Sequence, residues 1–441
     1  MNCRRKTIFA MMIGLLAPCL TCSTLRAETG HPVAIRWWGQ AMVSIETYWN
    51  LRIVIDPYSL KIGYNDPKVQ ANLVLISHEH SDHNNDKLVK GAIKVIHAIG
   101  NDGKVRKHHL ILDRRPNQPK ATITSATNSP KPTKHAVRVR TIPSFHDNQD
   151  GAQRGNNGLW IIDVDGVRIV HCGDLGQPVL TKEQMKGIGK VDVLLIPVGG
   201  VYTIDGKQAA ELVKQIKPRI AIPIHYKTNA LKFDLQNVDP FLNSLPKSYQ
   251  VVHAKGNTLP ASKGRGPSKD KPQVVVLKHE PLAMAKELSQ LFEAMESGIA
   301  KSKTVYEPLS AKQMNHKPSN GTHTPRWNVE HTVGRHLGFF SQIYSKVDTS
   351  IPHIDINPKQ MPKDYLPAEP TWTGAEENHR IDRAHAFVLR YAYLLDGLPL
   401  DKKAPGSFWT VRGLCKQMQD HFWHHTANVL EKMKLPDWPK E

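Results

Sequence analysis

Apolar residues recur along this chain with two different periods, and the change of period divides it. Up to about residue 277 they fall in short runs broken by turn residues, the pattern of β-strands. Beyond Pro281 they return at three- and four-residue spacing, the pattern of amphipathic helices. Residues 33–38 and 42–47 read as strands around a turn at Gly39, and 51–55 as a third that ends in Asp56-Pro57. Further strands are predicted where the apolar run 71–76 precedes a polar cluster, at 136–142, and at 159–164 and 167–171, the last two as a hairpin about Asp165-Gly166. The unbroken apolar run 191–197 predicts a strand buried on both faces. A helix over 206–216 and a strand over 220–223 follow, and 251–254 and 273–277 read as closing strands joined by a Gly/Pro/Lys loop over 260–272. Residues 100–134 are basic and proline-rich, with Arg114-Arg115-Pro116 and Ser129-Pro130-Lys131-Pro132 as punctuation; a short hairpin and a surface insertion are expected there.

Four helical segments, 282–297, 329–344, 375–395 and 406–433, predict an antiparallel, all-α four-helix bundle. The strand at 273–277 needs the first domain's sheet to pair with, so the boundary falls near 279–282. The expected units are therefore a domain over 31–279 and a bundle over 282–441. A length of 441 residues agrees with two cores rather than one.

The chemistry is concentrated in Ser77-His78-Glu79-His80-Ser81-Asp82-His83, directly after the strand at 71–76. In an extended segment alternate side chains share a face, so His78 and His80 can point at one ion. A turn into a helix would swing Asp82 and His83 away, toward a second ion. Imidazole nitrogens with a carboxylate oxygen suit zinc, with manganese or iron as alternatives. This stretch resembles the His-x-His-x-Asp-His signature of the metallo-β-lactamase superfamily. The resemblance implies an α/β fold, an αββα sandwich, holding two metal ions at one edge. It also implies the remaining ligands: His146 after the strand at 136–142, Asp174 after the hairpin, and His225 after the strand at 220–223. Site one would then be His78, His80 and His146, site two Asp82, His83 and His225, with Asp174 bridging them. Where the superfamily often has histidine, the segment Trp38-Gly39-Gln40-Ala41 carries Gln40, a departure expected to cost one contact near the site. Asp56 is either a carboxylate behind a ligand histidine or a turn residue before Pro57.

Pro197-Val198-Gly199-Gly200-Val201-Tyr202 and Ile222-Pro223-Ile224-His225-Tyr226 resemble the lactonase-like branch of that superfamily, over roughly residues 33–278. An ester or lactone substrate follows from this likeness. Two cations sharing a water would present hydroxide near neutral pH, with Asp82 orienting it or passing its proton to the leaving group. Tyr202 would contact substrate or a developing oxyanion, or else pack over the metals. Alternatives are a phosphodiesterase acting on a lipid or nucleotide, and a metal- or ligand-binding protein without catalysis.

In the helical half, His421 and His425 lie one turn apart on one face, the spacing at which two imidazoles share a metal, and His331 can supply a third. Together with Leu309-Ser310-Ala311-Lys312-Gln313-Met314, the segments Trp327-Asn328-Val329-Glu330-His331 and His421-Phe422-Trp423-His424-His425 resemble the DinB-like four-helix bundles. That likeness implies one divalent metal, zinc or nickel, on these three histidines, and the chance of thiol-dependent transfer. His424 is an alternative ligand, and His336, His379 and His385 lie in the same segments.

A net charge of +19 attracts anions of any kind, a small anionic substrate among them, without choosing between them, and the Lys and Arg residues are spread along the chain, so no specific nucleic acid is expected. Arg4, Arg5 and Lys6 followed by apolar 8–16 and Thr24-Leu25-Arg26-Ala27 have the layout of a signal peptide over 1–27. Export to the periplasm or medium is expected, with lipid attachment at Cys19 or Cys22 as a variant and no transmembrane span. Three of the five cysteines fall in that leader, so Cys172 and Cys415 are read as buried thiols, Cys172 with some redox sensitivity near Asp174.

Overall fold

The computed structural model describes residues 32–113, 121–126, 136–268, 270–280, 284–358 and 365–440. The expected leader over 1–27 lies outside them, as do residues 114–120 and 127–134 of the basic insertion expected over 100–134. In chain order the strands are β1 Val33–Gly39, β2 Met42–Glu46, β3 Arg52–Ile55, β4 Leu73–Ile76, β5 Lys94–His97, β6 His109–Asp113, β7 Thr122–Ser125 and β8 Val137–Phe145. Seven more follow: β9 Asn156–Val164, β10 Val167–His171, β11 Val193–Pro197, β12 Ile220–Ile224, β13 Gln250–His253, β14 Thr258–Ala261 and β15 Gln273–Val276. The helices are α1 Lys182–Ile188, α2 Gly206–Ile216, α3 Asp239–Ser244, α4 Lys286–Tyr306, the short α5 Ala311–Met314, α6 Pro325–Val347, α7 Gly374–Arg390 and α8 Val411–Lys432.

Two sheets face each other. The first has the order β14-β1-β2-β3-β4-β5 and the second β13-β15-β12-β11-β10-β9-β8-β6-β7. Alternation along β1 shows how the sequence sets the layers: Val33, Ile35 and Trp37 enter the core shared by the sheets, while Ala34, Arg36 and Trp38 face outward. In the second sheet β10, β11, β12, β15 and β13 run parallel, and β11 is buried at every position, as its unbroken apolar run requires.

The loop expected over 260–272 is partly wrong. Residues 258–261 form β14, which crosses to the first sheet and pairs antiparallel with β1, Val33 opposite Ala261. Its partner is more than two hundred residues away, so no local pattern announces it. On the outer face of the second sheet, Ala209, Ala210, Leu212, Val213 and Ile216 of α2 are buried, and Asp205 and Gln208 close a capping box at its start.

The four long helices share a second apolar cluster built on Phe292, Met295, Phe340, Phe387, Met418 and Phe422. Ala34 of β1 and Tyr48, just after β2, belong to the same cluster, so the helices pack onto the outer face of the first sheet. Tyr48 meets Phe387 of α7 at a ring separation of 5.7 Å. Thr324 caps α6 and Thr373 forms a capping box with Glu376 on α7. Thr373→Ala should cost about 1 kcal/mol, read as a lower urea midpoint with an unchanged slope. No helix among the described residues is long and apolar enough to cross a membrane.

Candidate metal centre

The ends of β3, β4, β8, β10 and β12 converge on one edge of the sandwich. After β4 the chain makes a tight turn in which the His83 amide donates to the His80 carbonyl at 2.9 Å. Residues 77–83 contain no α-helix; the turn alone separates Asp82 and His83 from His78 and His80. Asp56, left-handed at φ 50°, accepts from the Ser77 amide at 2.7 Å and the Ser77 hydroxyl at 2.6 Å, which pins the turn to β3. The same carboxylate lies 3.1 Å from His83 Nδ1, and this network assigns the His83 proton to Nδ1 and leaves Nε2 free as a ligand. Of the two readings of Asp56, the carboxylate behind a histidine is the one the geometry has. Asp56→Asn should weaken metal binding about 10–100-fold, measured by competition with a chelating dye.

His146 follows β8, and Asp147 beside it accepts from the amides of Gln149, Gly151, Gln153 and Arg154, which fixes the next loop. Asp174 follows β10. Its amide donates to Asn157 Oδ1 at 3.1 Å, and Gly173 before it has φ 53°. A Cβ on Gly173 would lie 2.4 Å from Asn157 Oδ1 and 2.7 Å from the Ser77 side chain, so only glycine lets Asp174 enter the site. His171 supports the same turn, donating from Nε2 to the Ala41 carbonyl at 2.8 Å and accepting the Gly173 amide on Nδ1 at 3.1 Å. His225 follows β12 in a left-handed conformation, and its amide donates to the Gln40 carbonyl at 2.8 Å. Gln40 Nε2 also donates to Asp82 Oδ2 at 2.8 Å. The departure at Gln40 therefore keeps a contact at the site rather than losing one.

Two groups of ligand atoms result: His78, His80 and His146, and Asp82, His83, Asp174 and His225, each with its atoms within 4.8 Å of one another. Asp174 faces both. Its Oδ2 lies 3.3 Å from His146 Nε2 and 3.8 Å from His78 Nε2, and 3.2 Å from His225 Nε2, while Oδ1 lies 3.2 Å from His83 Nε2. Burial opposes its charge, yet the imidazoles of His225 and His83 hold its carboxyl well below the usual range. Among the described residues, His83 Nε2, both ring nitrogens of His146 and Asp174 Oδ1 are buried without a hydrogen-bond partner. So many unpaired buried atoms on one edge fit cations, which would satisfy them together, and the nitrogen-rich donor set suits zinc, manganese or iron.

Tyr202 sits on the loop after β11 and is 46% exposed. The Arg154 guanidinium lies 5.8 Å from its ring centre and donates to the Val201 carbonyl, and among the described residues Tyr202 has no hydrogen bond to the seven site side chains. Cys172 is buried, and burial pushes its thiol up to about 12; a thiol held protonated is a poor nucleophile, so its surroundings lend no support to redox sensitivity.

A beta-lactamase superfamily domain matches residues 34–225. A UPF0173 metal-dependent hydrolase of Thermococcus kodakarensis is 31% identical over 203 residues, 44% of this chain and 85% of that protein. This chain belongs to the metallo-β-lactamase superfamily, among its metal-dependent hydrolases. A second such hydrolase, from Thermoplasma volcanium, is 33% identical over 220 residues, covering 47% of this chain and 88% of the relative. Among solved structures, a Zn-dependent hydrolase of the metallo-β-lactamase superfamily from Thermotoga maritima is 32% identical, covering 56% of this chain and all of that one, with a TM-score of 0.39. The helices from α4 to α8 lie beyond the residues of the domain match.

A second histidine group sits among those helices. His331 of α6 and His421 and His425 of α8 also have ligand atoms within 4.8 Å of one another. The Trp327 ring stacks on His331 at 4.6 Å, and His425 Nδ1 lies 2.7 Å from Asn328 Oδ1, which assigns the proton to Nδ1 and leaves Nε2 free. Burial pushes all three imidazoles down, to about 4, 4 and 3, so they are neutral at pH 7 as ligands must be. His424 is exposed and outside the group, His336 and His385 face each other at 3.4 Å, and His379 is half-buried.

Proposed function

We propose that this hydrolase holds two divalent cations, zinc in the first instance, and cleaves an ester or lactone of a small anionic molecule. The observation that carries the reading is the placement of Asp174, one carboxylate within 4 Å of four imidazoles drawn from both ligand groups. His78, His80 and His146 would hold one cation, and Asp82, His83 and His225 the other, with Asp174 shared. Such cations, when bound, supply an activated water and polarise the electrophile. The chain's own residues do the rest. Asp56 fixes the His83 ring, Gln40 holds Asp82 in place, and Asp82 can take a proton from the nucleophile and hand it to the leaving group. Tyr202, exposed and with Arg154 against its ring, would meet the substrate rather than the cations.

We assign the catalytic domain to 31–279 and a DinB-like four-helix bundle to 282–441, with a further divalent ion, zinc or nickel, on His331, His421 and His425. The neutral state of these imidazoles, His331 buried and His421 and His425 half-buried, supports that site. The basic chain favours anionic substrates, and the layout of residues 1–27 favours export, with lipid attachment as its variant. A chromogenic lactone and a bis-aryl phosphate, assayed side by side on the metal-loaded chain, test the substrate class. Turnover of the lactone supports the proposal; turnover of the phosphodiester alone replaces it with a phosphodiesterase, and metal binding without turnover of either replaces it with a binding protein.

A further inference from the structure

Charges gather where α7 meets the first sheet, away from the metal centre. Glu46, at the end of β2, receives Arg36 Nη1 at 2.8 Å, Arg52 Nε at 3.2 Å and Arg390 Nη2 at 2.6 Å. Three guanidiniums on one carboxylate leave a local excess of two positive charges, and arginine cannot shed its proton to relieve it. The cluster is graded by depth: the side chains of Arg52 and Arg36 are 34% and 20% exposed, while that of Arg390 is 1% exposed.

The floor of this seam has more donors than acceptors. Among the described residues, Arg390 Nε and Nη1 are buried without a well-formed hydrogen bond, the Tyr391 hydroxyl being the one polar group that interacts with the guanidinium besides Glu46, and Asn257 Nδ2 is buried with no hydrogen-bond partner. The orientation of the Asn257 amide is fixed from its other side. Arg36 Nε donates to Thr258 Oγ1 at 3.2 Å, and Thr258 Oγ1 donates to Asn257 Oδ1 at 2.9 Å, which turns Nδ2 away from that chain. Arg390 lines two cavities. The smaller, of about 170 Å³, is shared with Arg36, Asn257, Thr258 and Tyr393; the larger, of about 330 Å³, opens past Glu46, Arg52 and Lys68. Leaving several donors of a buried guanidinium and amide unsatisfied is costly, and an anion in the cavity would relieve that cost.

We propose that this seam is a binding site for a small oxyanion of the phosphate class, held by Arg390, Arg36 and Asn257. A cation is excluded by the charge excess, and a neutral ligand would leave it uncompensated. The donors approach from three elements, Arg36 on β1, Asn257 before β14 and Arg390 on α7, a spread that suits a tetrahedral anion better than a flat carboxylate. The larger cavity leaves room for the organic part of a phosphate monoester. Glu46 ends β2, whereas Gln40, which touches Asp82, lies in the turn before that strand begins, so the two sites sit at opposite ends of β2. An occupant here contacts the sheet and α7 together and so favours the docked helices.

The test uses the full chain, with inorganic phosphate, glycerol phosphate and acetate as probes, read by calorimetric titration and by thermal unfolding. Saturable phosphate binding that raises the melting temperature is expected, with acetate at least tenfold weaker. Asn257→Asp, which keeps the shape but repels an anion, should weaken phosphate binding at least tenfold, and Asn257→Leu should do so without adding charge. Absence of saturable phosphate binding overturns the proposal. Equal phosphate affinity in the two Asn257 variants and the parent chain also overturns it, since the anion would then sit elsewhere.

Discussion

Asp174→Ala should lower hydrolysis at least about a thousandfold, more than the loss of a single electrostatic donor usually costs. The reason is position. This carboxylate is buried among His78, His83, His146 and His225, and its removal takes away a negative ligand and the one side chain facing both groups. His78 and His146 would then lose the carboxylate they share with the other group, leaving Asp82 and Asp56 beside His83 and His225 alone. The parallel change His80→Ala separates ligand loss from structural damage, because His80 is an exposed residue whose truncation costs little packing. Both variants should keep the far-ultraviolet spectrum of the parent and lose bound metal. Near-parent turnover in both would remove the dinuclear centre from the mechanism.

Glu46→Ala should destabilise the fold by about 3–5 kcal/mol, the usual cost of stripping the partner from a buried ion pair. Its carboxylate is the counter-charge for Arg390, which holds α7 to β2 across a sequence separation of 344 residues. Burial raises the Glu46 carboxyl, but Arg390, Arg36 and Arg52 more than reverse this and hold it far below the usual range. The sign of the pH effect follows. A carboxyl depressed in the folded state contributes stability that is fully present above its unfolded value near 4.5 and is lost as pH falls through the folded one. The parent should therefore lose stability below about pH 4.5 more steeply than Glu46→Gln, which has no such group to protonate. Urea unfolding at pH 7 and pH 4 measures both effects, and a parallel pH dependence in the two proteins would contradict the assignment.

Much of the site was legible because its chemistry is local. The run from Ser77 to His83 gathers five ligand-type side chains, of which the superfamily signature singles out His78, His80, Asp82 and His83, and His146, Asp174 and His225, implied by the same resemblance, each follow an apolar run that ends at the same sheet edge. The helix at 206–216 was readable to the residue, since its capping residues and apolar spacing agree. What stayed hidden depends on partners far away in sequence. β14 is visible only from β1, and Gln40 takes its role from Asp82, forty-two positions on. Asn157 precedes the strand expected at 159–164 and shows its use only beside Gly173 and Asp174. Arg36, Glu46 and Arg52 carry no local signal of a shared role; the docking of α7 brings Arg390 to Glu46 and gathers them into one cluster. α6 begins at Pro325, four residues before its apolar period shows, because Trp327 and Asn328 are buried against histidines rather than in an apolar stripe.

The central claim is that two ions lie side by side on seven converging side chains. Loading the metal-stripped chain with Mn²⁺ and recording its electron paramagnetic resonance tests this directly, because neighbouring Mn²⁺ ions couple and an isolated ion in the helices does not. The account predicts a spin-coupled signal that grows with the second equivalent of metal and is absent from Asp174→Ala. Only uncoupled signals at every loading, or coupling that survives in Asp174→Ala, would contradict it.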